Sequence, residues 1–399
     1  MQEKWIETTI GEQVTLQRGF DITRSEQRLG KVPVISSGGI SSYHDTSQLS
    51  GPGVILGRKG VVGSVYYIET EYWPHDTTLW VKDFHGNHPR FVYYFFRNFA
   101  PRLAKLDVGS ANPTLNRNHV HPTEILWPSL PIQQTIAQIL SSLDDKIELN
   151  RQMNETLEAM ARAIFQSWFV DFDPVRAKAE GRDTGLPPEI AALFPDGFEE
   201  VEGQEVPRGW GVKPLDQIAT FLNGLALQKY PPDGEDYLPV IKIAQLRKGD
   251  TEGSDKASVK ISPEYIVDDG DILFSWSGSL EVMIWCGGRG ALNQHLFKVS
   301  SEKYPKWFYY LWVLHHLLDF QLIAEGKATT MGHIQRHHLS DAKVLVPHNN
   351  LISAMDKILS PLLNKIISNN VESLTLTEIR DALLPKLMSG EILVPISQS

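Results

Sequence analysis

Apolar positions along the chain recur in two rhythms. Short apolar runs bounded by Gly, Ser and Asn predict strands. The first half has VPVI (32–35), VIL (54–56), SVYYI (64–68), TLWV (78–81) and EILW (124–127). The second has LPVIKI (238–243), ILF (272–274), EVMIW (281–285), LFKV (296–299) and KVLV (343–346). Each set holds one aromatic-rich helix, RFVYYFFRNF from Arg90 and KWFYYLWVLH from Lys306, and each ends in a proline and a long helical stretch. In those stretches the spacing alternates between three and four. One seam is Ile136, Ile139, Leu143, Ile147, Asn150, Asn154, Leu157, Ala161, Ile164 and Trp168; the other is Met355, Ile358, Leu362, Ile366, Asn369, Ser373, Leu376, Arg380, Leu383 and Leu387. Such spacing lays one stripe along a helix, as in a coiled coil. A helix over 132–170 would run roughly 60 Å at about 1.5 Å per residue, too long for the interior of one compact domain. Pro361 and Pro385 are expected to start, kink or break the second helix, leaving it in pieces.

The two series are diverged copies of one sequence. Without a gap, Ile139-Leu140-Ser141 matches Ile358-Leu359-Ser360, Lys146-Ile147 matches Lys365-Ile366, and Asn150 matches Asn369. The same offset pairs His119 with His338 and Pro128 with Pro347. Asn150 and Asn369 share a seam position. A polar group there fixes register at some cost in stability; the alternative is a solvated break in two ordinary helices. The expected fold is therefore α+β. Two mixed globular units, 1–130 and 206–347, are separated by two helical spacers, 131–175 and 348–399, which pair as an antiparallel coiled coil with pseudo-twofold symmetry. Residues 171–210 are rich in Pro, Gly and acid, and 176–205 reads as a linker.

Composition sharpens this picture. The chain has 399 residues, 42% hydrophobic and 22% charged, which suits two or three globular domains and excludes a disordered chain, a collagen or a disulfide scaffold. Cys286 stands alone, so no internal disulfide forms and a cytoplasmic setting is expected. MQEKWIETTIGEQ lacks the apolar core of a secretory signal. Residues 307–324 contain His315, His316 and Asp319, which favours a buried helix over a membrane span. The net charge of −10 is concentrated in residues 131–205, which hold 6 basic and 15 acidic side chains. Elsewhere the chain is near neutral, so charge neither supports nor excludes nucleic acid.

The search for catalytic chemistry returns little. No GxxxxGK[ST], HExxH, CxxC or GxSxG motif occurs, and no metal site is expected. Asp144-Asp145-Lys146 resembles a nuclease acid pair with its lysine, but the second copy reads Leu363-Asn364-Lys365. Asn112-Pro113-Thr114-Leu115 lacks the aromatic residue that would stack on a flipped base. What remains are polar, glycine-rich loops at equivalent places in both halves. Single loops of this kind are usually plain surface. Four recurring in two copies point to DNA, because glycine admits close backbone approach and Arg, Lys, Asn and Gln contact phosphates and base edges.

WPSLPIQQTIAQILSSLDDKIELNRQMNETLEAMARAIFQSWFVDFDPV (127–175) and TLTEIRDALLPKLMSGEI (375–392) resemble the specificity subunit of Type I restriction–modification enzymes. The resemblance spans essentially the whole chain. It implies that each globular unit is a target recognition domain reading half of a split DNA sequence. It further implies that the helices set the gap and dock two methyltransferase subunits. S-adenosylmethionine, ATP and Mg would then sit on partners, two motor–nuclease subunits could join, and this chain would carry no catalytic residue and no cofactor. DNA contacts are expected from Arg18, Lys31, Ser37, Tyr43, Arg58, Lys59, Asn112, Asn116 and Arg117 in the first unit. In the second they are expected from Lys229, Gln245, Arg247, Lys248, Trp276, Ser279, Lys327, Thr329, Thr330, Gln335 and Arg336. Helix pairing is expected from Ile139, Leu143, Ile147, Asn150 and Leu157 against Ile358, Leu362, Ile366, Asn369 and Leu376. Two other classes stand beside this one: a self-sufficient nuclease or methyltransferase, and a duplicated scaffold binding protein or carbohydrate.

Overall fold

The computed structural model describes residues 5–106, 114–326 and 332–395. Four long helices frame it: α1 (Pro89–Leu103), α2 (Leu130–Phe165), α3 (Lys306–Glu325) and α4 (Asn349–Met388). The chain divides into two compact units, residues 1–147 with 376–399, and residues 148–375. Both divisions fall inside α2 and α4, so each unit is one globular half plus one part of each long helix.

The first unit centres on a four-stranded antiparallel sheet in the order Thr15–Arg18, Thr78–Asp83, Gly53–Gly57, Val65–Ile68. The second repeats that order with Thr220–Asn223, Leu296–Ser300, Ile272–Ser275 and Val282–Ile284. In each unit a smaller sheet carries one parallel pair, Val32–Ser36 with Trp73–Pro74 and Leu238–Ile241 with Gly290–Leu292. A two-stranded ribbon completes each, Ile6–Thr9 with Glu124–Trp127 and Gly211–Pro214 with Lys343–Val346.

The central strands are buried on both faces, which is why they read as continuous apolar runs rather than alternating ones. Val54 and Leu56 face the core under α1, while Ile55 turns to Ile35, Tyr72 and Trp80. In the second unit Ile272 and Phe274 face α3, and Leu273 turns to Ile241, Trp285 and Leu292. Trp127 anchors the first core. Its ring meets Phe91 and Phe95 edge-on at centroid distances of 5.1 and 4.8 Å, and its indole N–H donates to Asn87 Oδ1 at 2.8 Å. Among the described residues no helix is long and apolar enough to cross a membrane. In α3 the run Trp307–Val313 is instead buried in the second unit's core.

The helices pair much as the spacing suggests. In the second unit Asn150 donates to the Asn369 carbonyl oxygen and to Ser373 Oγ, each at 3.3 Å, and to Glu372 Oε2 at 2.9 Å. Asn154 donates to Asn370 Oδ1 at 2.7 Å and receives Asn369 Nδ2 at 2.8 Å. Rising numbers on α2 meet falling numbers on α4, so the segments run antiparallel. Asn150 and Asn369 are fully buried, Ile366 is buried, and Leu143, Ile147, Leu157, Leu362 and Leu376 are half-buried. Toward the globular halves the buried face moves by one position. Leu140, Leu359 and Leu384 are buried where Ile139, Ile358 and Leu383 are only partly so. There the helix packs on the sheet and on α1 or α3 as well as on its mate, and a 3.6-residue turn drifts from a strict heptad.

Two expectations are corrected. The second helix is not in pieces: α4 runs unbroken through Pro361 and Pro385. Both prolines lie on its exposed side, as do Lys357 and Asp381, whose carbonyl groups lose their donors and can turn to water. Nor is 176–205 an open linker. It forms helices Asp173–Ala179 and Pro188–Ala191 and a hairpin of Phe198–Val201 with Gln204–Pro207. Phe194 from this stretch, with Phe172 and Val175 just before it, joins Trp210 in the second unit's core.

In the first unit the acid pair at the start of the DDK run is structural. Asp144 accepts from Tyr94 OH at 2.6 Å and from Arg380 Nη1 at 2.7 Å; Asp145 accepts from Arg90 at 2.9 Å. Burial, the bond to Asp144 and its charge push the Tyr94 phenol well above its ordinary range.

Candidate nucleic-acid interface

Four polar segments converge at one end of each central sheet. In the first unit they are the strand end at Arg18, the bend after Gly57, the loop His75–Thr78 and the stretch Thr114–Arg117. Gly19 N–H donates to Thr78 O at 3.1 Å and Phe20 N–H to Pro74 O at 2.7 Å. Arg58 and Lys59 donate to Thr77 O at 2.9 and 3.1 Å, and Leu115 donates to Arg58 O at 2.9 Å. Glycine is required at 19, because a Cβ there would lie 2.2 Å from His75 O.

The second unit repeats this frame. Gly224 N–H donates to Leu296 O and Leu225 N–H to Leu292 O, both at 3.0 Å. Trp276 N–H reaches His295 O at 3.4 Å, and Ile334 N–H reaches Trp276 O at 3.0 Å. Gly224 is as constrained as Gly19, since a Cβ would lie 2.2 Å from Asn293 O. Each unit thus presents an apex of the same backbone.

The side chains on the first apex are ionic. Arg18 donates to Asp76 Oδ2 at 2.5 Å, and Arg58 donates to the Asp76 carbonyl oxygen at 3.3 Å. Burial lowers the Arg58 guanidinium from its ordinary value, and the charge of Arg18 adds to this. Burial alone would raise the Asp76 carboxyl, but the Arg18 bond and the charges of His75, Arg18 and Lys59 hold it low. Lys59 and Arg117 are exposed, and Arg117 donates to Leu16 O at 3.4 Å. Asn116 is exposed and caps a short helix, accepting from Asn118 N–H at 3.0 Å. Asp21, His75 and Asp76 bring ligand atoms within 4.8 Å of one another, but Arg18 already supplies the positive charge there.

The second apex is aromatic. Trp276 donates its indole N–H to Asn223 Oδ1 at 2.9 Å and lies 6.0 Å from the His295 ring and 6.4 Å from His333. Ser277 Oγ meets His295 Nδ1 at 2.9 Å. Gln335 and Arg336 are exposed beside it, with the Arg336 guanidinium 5.7 Å above the Phe297 ring.

The other expected contact residues are placed differently. Lys31 and Tyr43 sit at the end of the small sheet away from Ser37, where Pro33 pairs with Tyr43. Ser37 is 8% exposed, and its carbonyl oxygen accepts from Ser64 and Tyr66. Gln245 is 9% exposed and accepts from Lys242 N–H at 3.3 Å. Arg247 pairs with Glu281 at 2.6 Å, and Lys248 pairs with Asp250 and Glu252 at 3.2 and 2.6 Å. Lys229 and Ser279 are exposed. Asn112, Lys327, Thr329 and Thr330 lie outside the described residues. Asp76, Thr77, Asn223, Gln294 and His295 were not singled out from sequence. Polar HDT (75–77) and NQH (293–295), immediately before TLWV and LFKV, were the available signal.

A tandem pair of mixed sheet-and-helix units, each completed by part of two shared helices and each carrying a polar apex, defines a duplicated recognition architecture. Known proteins give it a family. The family model described as Type I restriction modification DNA specificity domain matches residues 2–159 and again residues 207–377. The HindI specificity subunit of Haemophilus influenzae is 30% identical over 329 residues, covering 70% of this chain and 71% of that protein. The MjaIX specificity subunit of Methanocaldococcus jannaschii is 28% identical over 319 residues, covering 76% and 69%. The crystal structure of the Type I S subunit from M. genitalium shares the fold, with a TM-score of 0.62 at 16% identity over 97% of this chain and 96% of that one. The chain belongs to the Type I restriction–modification DNA specificity family and carries its specificity domain twice. The scaffold alternative finds no support in these matches.

Proposed function

We propose that this chain is the non-catalytic, cytoplasmic DNA-reading subunit of a Type I restriction–modification complex, each apex reading one half of a bipartite duplex target. The observation that carries this is the repeated apex. One glycine-bent backbone frame recurs in two units of a family named for DNA specificity, with different side chains on each copy. Backbone groups and exposed cations such as Lys59, Arg117 and Arg336 suit phosphates, while the amides suit base edges. The long helices serve both units, which suits them to setting the gap between half-sites and to docking two methyltransferase subunits. Those subunits supply S-adenosylmethionine chemistry, and motor–nuclease subunits bring ATP and Mg where a system carries them.

The test is adenine-methylation sequencing of cells expressing the cognate modification subunits with and without this chain. A split methylated motif that appears only with this chain is the expected result. Methylation that is independent of the chain, or never appears, overturns the proposal.

A further inference from the structure

The apex frame is shared by the two units, but three side chains on it differ in kind. Arg18, Arg58 and Asp76 of the first unit stand where Asn223, Trp276 and Gln294 stand in the second. The register fixes this equivalence. Arg18 pairs with Leu79 as Asn223 pairs with Phe297, and bridges at His75 and Asn293 precede Asp76 and Gln294.

In the first unit one residue holds two arginines. The Asp76 carboxylate takes Arg18 at 2.5 Å and its carbonyl oxygen takes Arg58 at 3.3 Å. The Arg18 side chain is 55% exposed while that of Asp76 is 17% exposed, so the carboxylate forms the base and the guanidinium the outer surface. Arginine's planar fork matches the two acceptors, N7 and O6, on the major-groove edge of guanine. A fork already held in place loses less freedom on binding than a free one. Among the described residues nothing comparable is built in the second unit. There the Gln294 Oε1 is buried without a hydrogen-bond donor among the described residues, and the Trp276 N–H is spent on Asn223.

We propose that Asp76 is a positioning residue that aims the Arg18–Arg58 pair at a guanine in the half-site of the first unit. Its counterpart Gln294 gives the other half-site a different base preference at the same structural place. This rests on the reading that the apexes face DNA.

The experiment selects bound duplexes from a randomised library, using the full chain assembled with its modification subunits. The wild-type complex should yield a bipartite motif with a guanine in one half. Arg18→Lys and Asp76→Asn should each lower discrimination for that guanine by about tenfold or more while leaving the other half unchanged. Asp76→Glu should restore part of it, which a purely structural role does not explain. Gln294→Ala should alter only the other half. Lys59→Ala should weaken all sequences alike and keep the motif. Arg18→Lys is exposed and keeps its charge, so it serves even if Asp76 variants fold poorly. A motif unchanged at every position in both first-unit variants overturns the proposal, as does an equal loss across all sequences. No bipartite motif from the wild type overturns the DNA-facing reading itself.

Discussion

Asn369 Nδ2 donates to Asn154 Oδ1 at 2.8 Å, and Asn150 Nδ2 donates to Ser373 Oγ at 3.3 Å. Residues 150 and 369 are repeat equivalents, and so are 154 and 373. The two bonds are therefore one contact made twice with the partners exchanged. A register shift of one residue would break both and leave buried amides without partners, which supports the register reading over a solvated break. Asn369→Ala should destabilise the second unit by about 1–3 kcal/mol, because Asn154 loses its donor in a buried seam. Asn154→Leu with Asn369→Leu should recover much of that, at the expense of a unique register. Urea unfolding of the wild type, Asn154→Leu, Asn369→Leu and the double variant reads the coupling directly.

In the first unit Arg380 has a 10% exposed side chain and bridges Asp144 at 2.7 Å and Asp381 at 2.8 Å. Removing it strands a carboxylate that also accepts from Tyr94. Arg380→Ala should cost on the order of 3 kcal/mol, with Arg380→Lys intermediate because one ammonium cannot serve both acids as a fork does. Differential scanning calorimetry of the full chain should show this loss. A change within a few tenths of a kcal/mol would mean that water replaces the guanidinium there.

Burial lowers the His121 imidazole, as do the charges of Arg117 and His85, and Nε2 accepts Leu16 N–H at 3.0 Å. Burial lowers His316 in α3 as well. Each ring is held neutral in the fold, whereas the unfolded chain binds a proton near the ordinary value of about 6.5. Their contribution is therefore complete above about pH 6.5 and is lost as pH falls through that value toward the lowered one. The slope is at most about 1.4 kcal/mol per pH unit for each ring. Denaturation midpoints between pH 8 and 5 should fall on the acid side. His121→Gln, which keeps an acceptor for Leu16 and does not titrate, should flatten the fall.

Gly19→Ala and Gly224→Ala each place a Cβ 2.2 Å from a carbonyl oxygen of the facing loop. The loop must shift, so each variant should weaken recognition of one half-site while the other is read normally. Methylation sequencing after each substitution distinguishes this from loss of the whole motif.

Exposed Lys59 and Arg117 on the first apex should act as phosphate contacts. Replacing either by Ala should reduce the slope of log affinity against log salt by about 1, with little change in sequence preference. An unchanged slope would remove that residue from the interface.

The apolar runs made the central strands legible, and the seam made the paired helices so. Strands Thr15–Arg18 and Thr220–Asn223 were not singled out, since four residues with only one or two apolar side chains become a strand only by pairing with distant partners. Proline, glycine and acid hid the folded stretch 171–210, where thinly spaced Phe172, Val175 and Phe194 do the packing. Arg18, Arg58, Lys59, Asn116, Arg117, Trp276, Gln335 and Arg336 lie at the apexes, and the sequence pointed to them because polar loops recur. Lys31 and Tyr43 were nominated with them because loops at the two ends of a strand look alike in sequence. Asp76 was not singled out, because one acid in a polar loop does not reveal from sequence that it faces Arg18 and Arg58.

The division of α2 and α4 between the units also governs how the protein is made. The second unit is one uninterrupted stretch, 148–375, and can close as soon as it has left the ribosome. The first unit cannot. Its core needs Leu384, Leu387 and Met388 against Phe95, Ile136 and Leu140, contacts that span most of the chain. The unit translated first is therefore the one completed last. Until then its exposed apolar surface is the part of the nascent protein most in need of protection from aggregation.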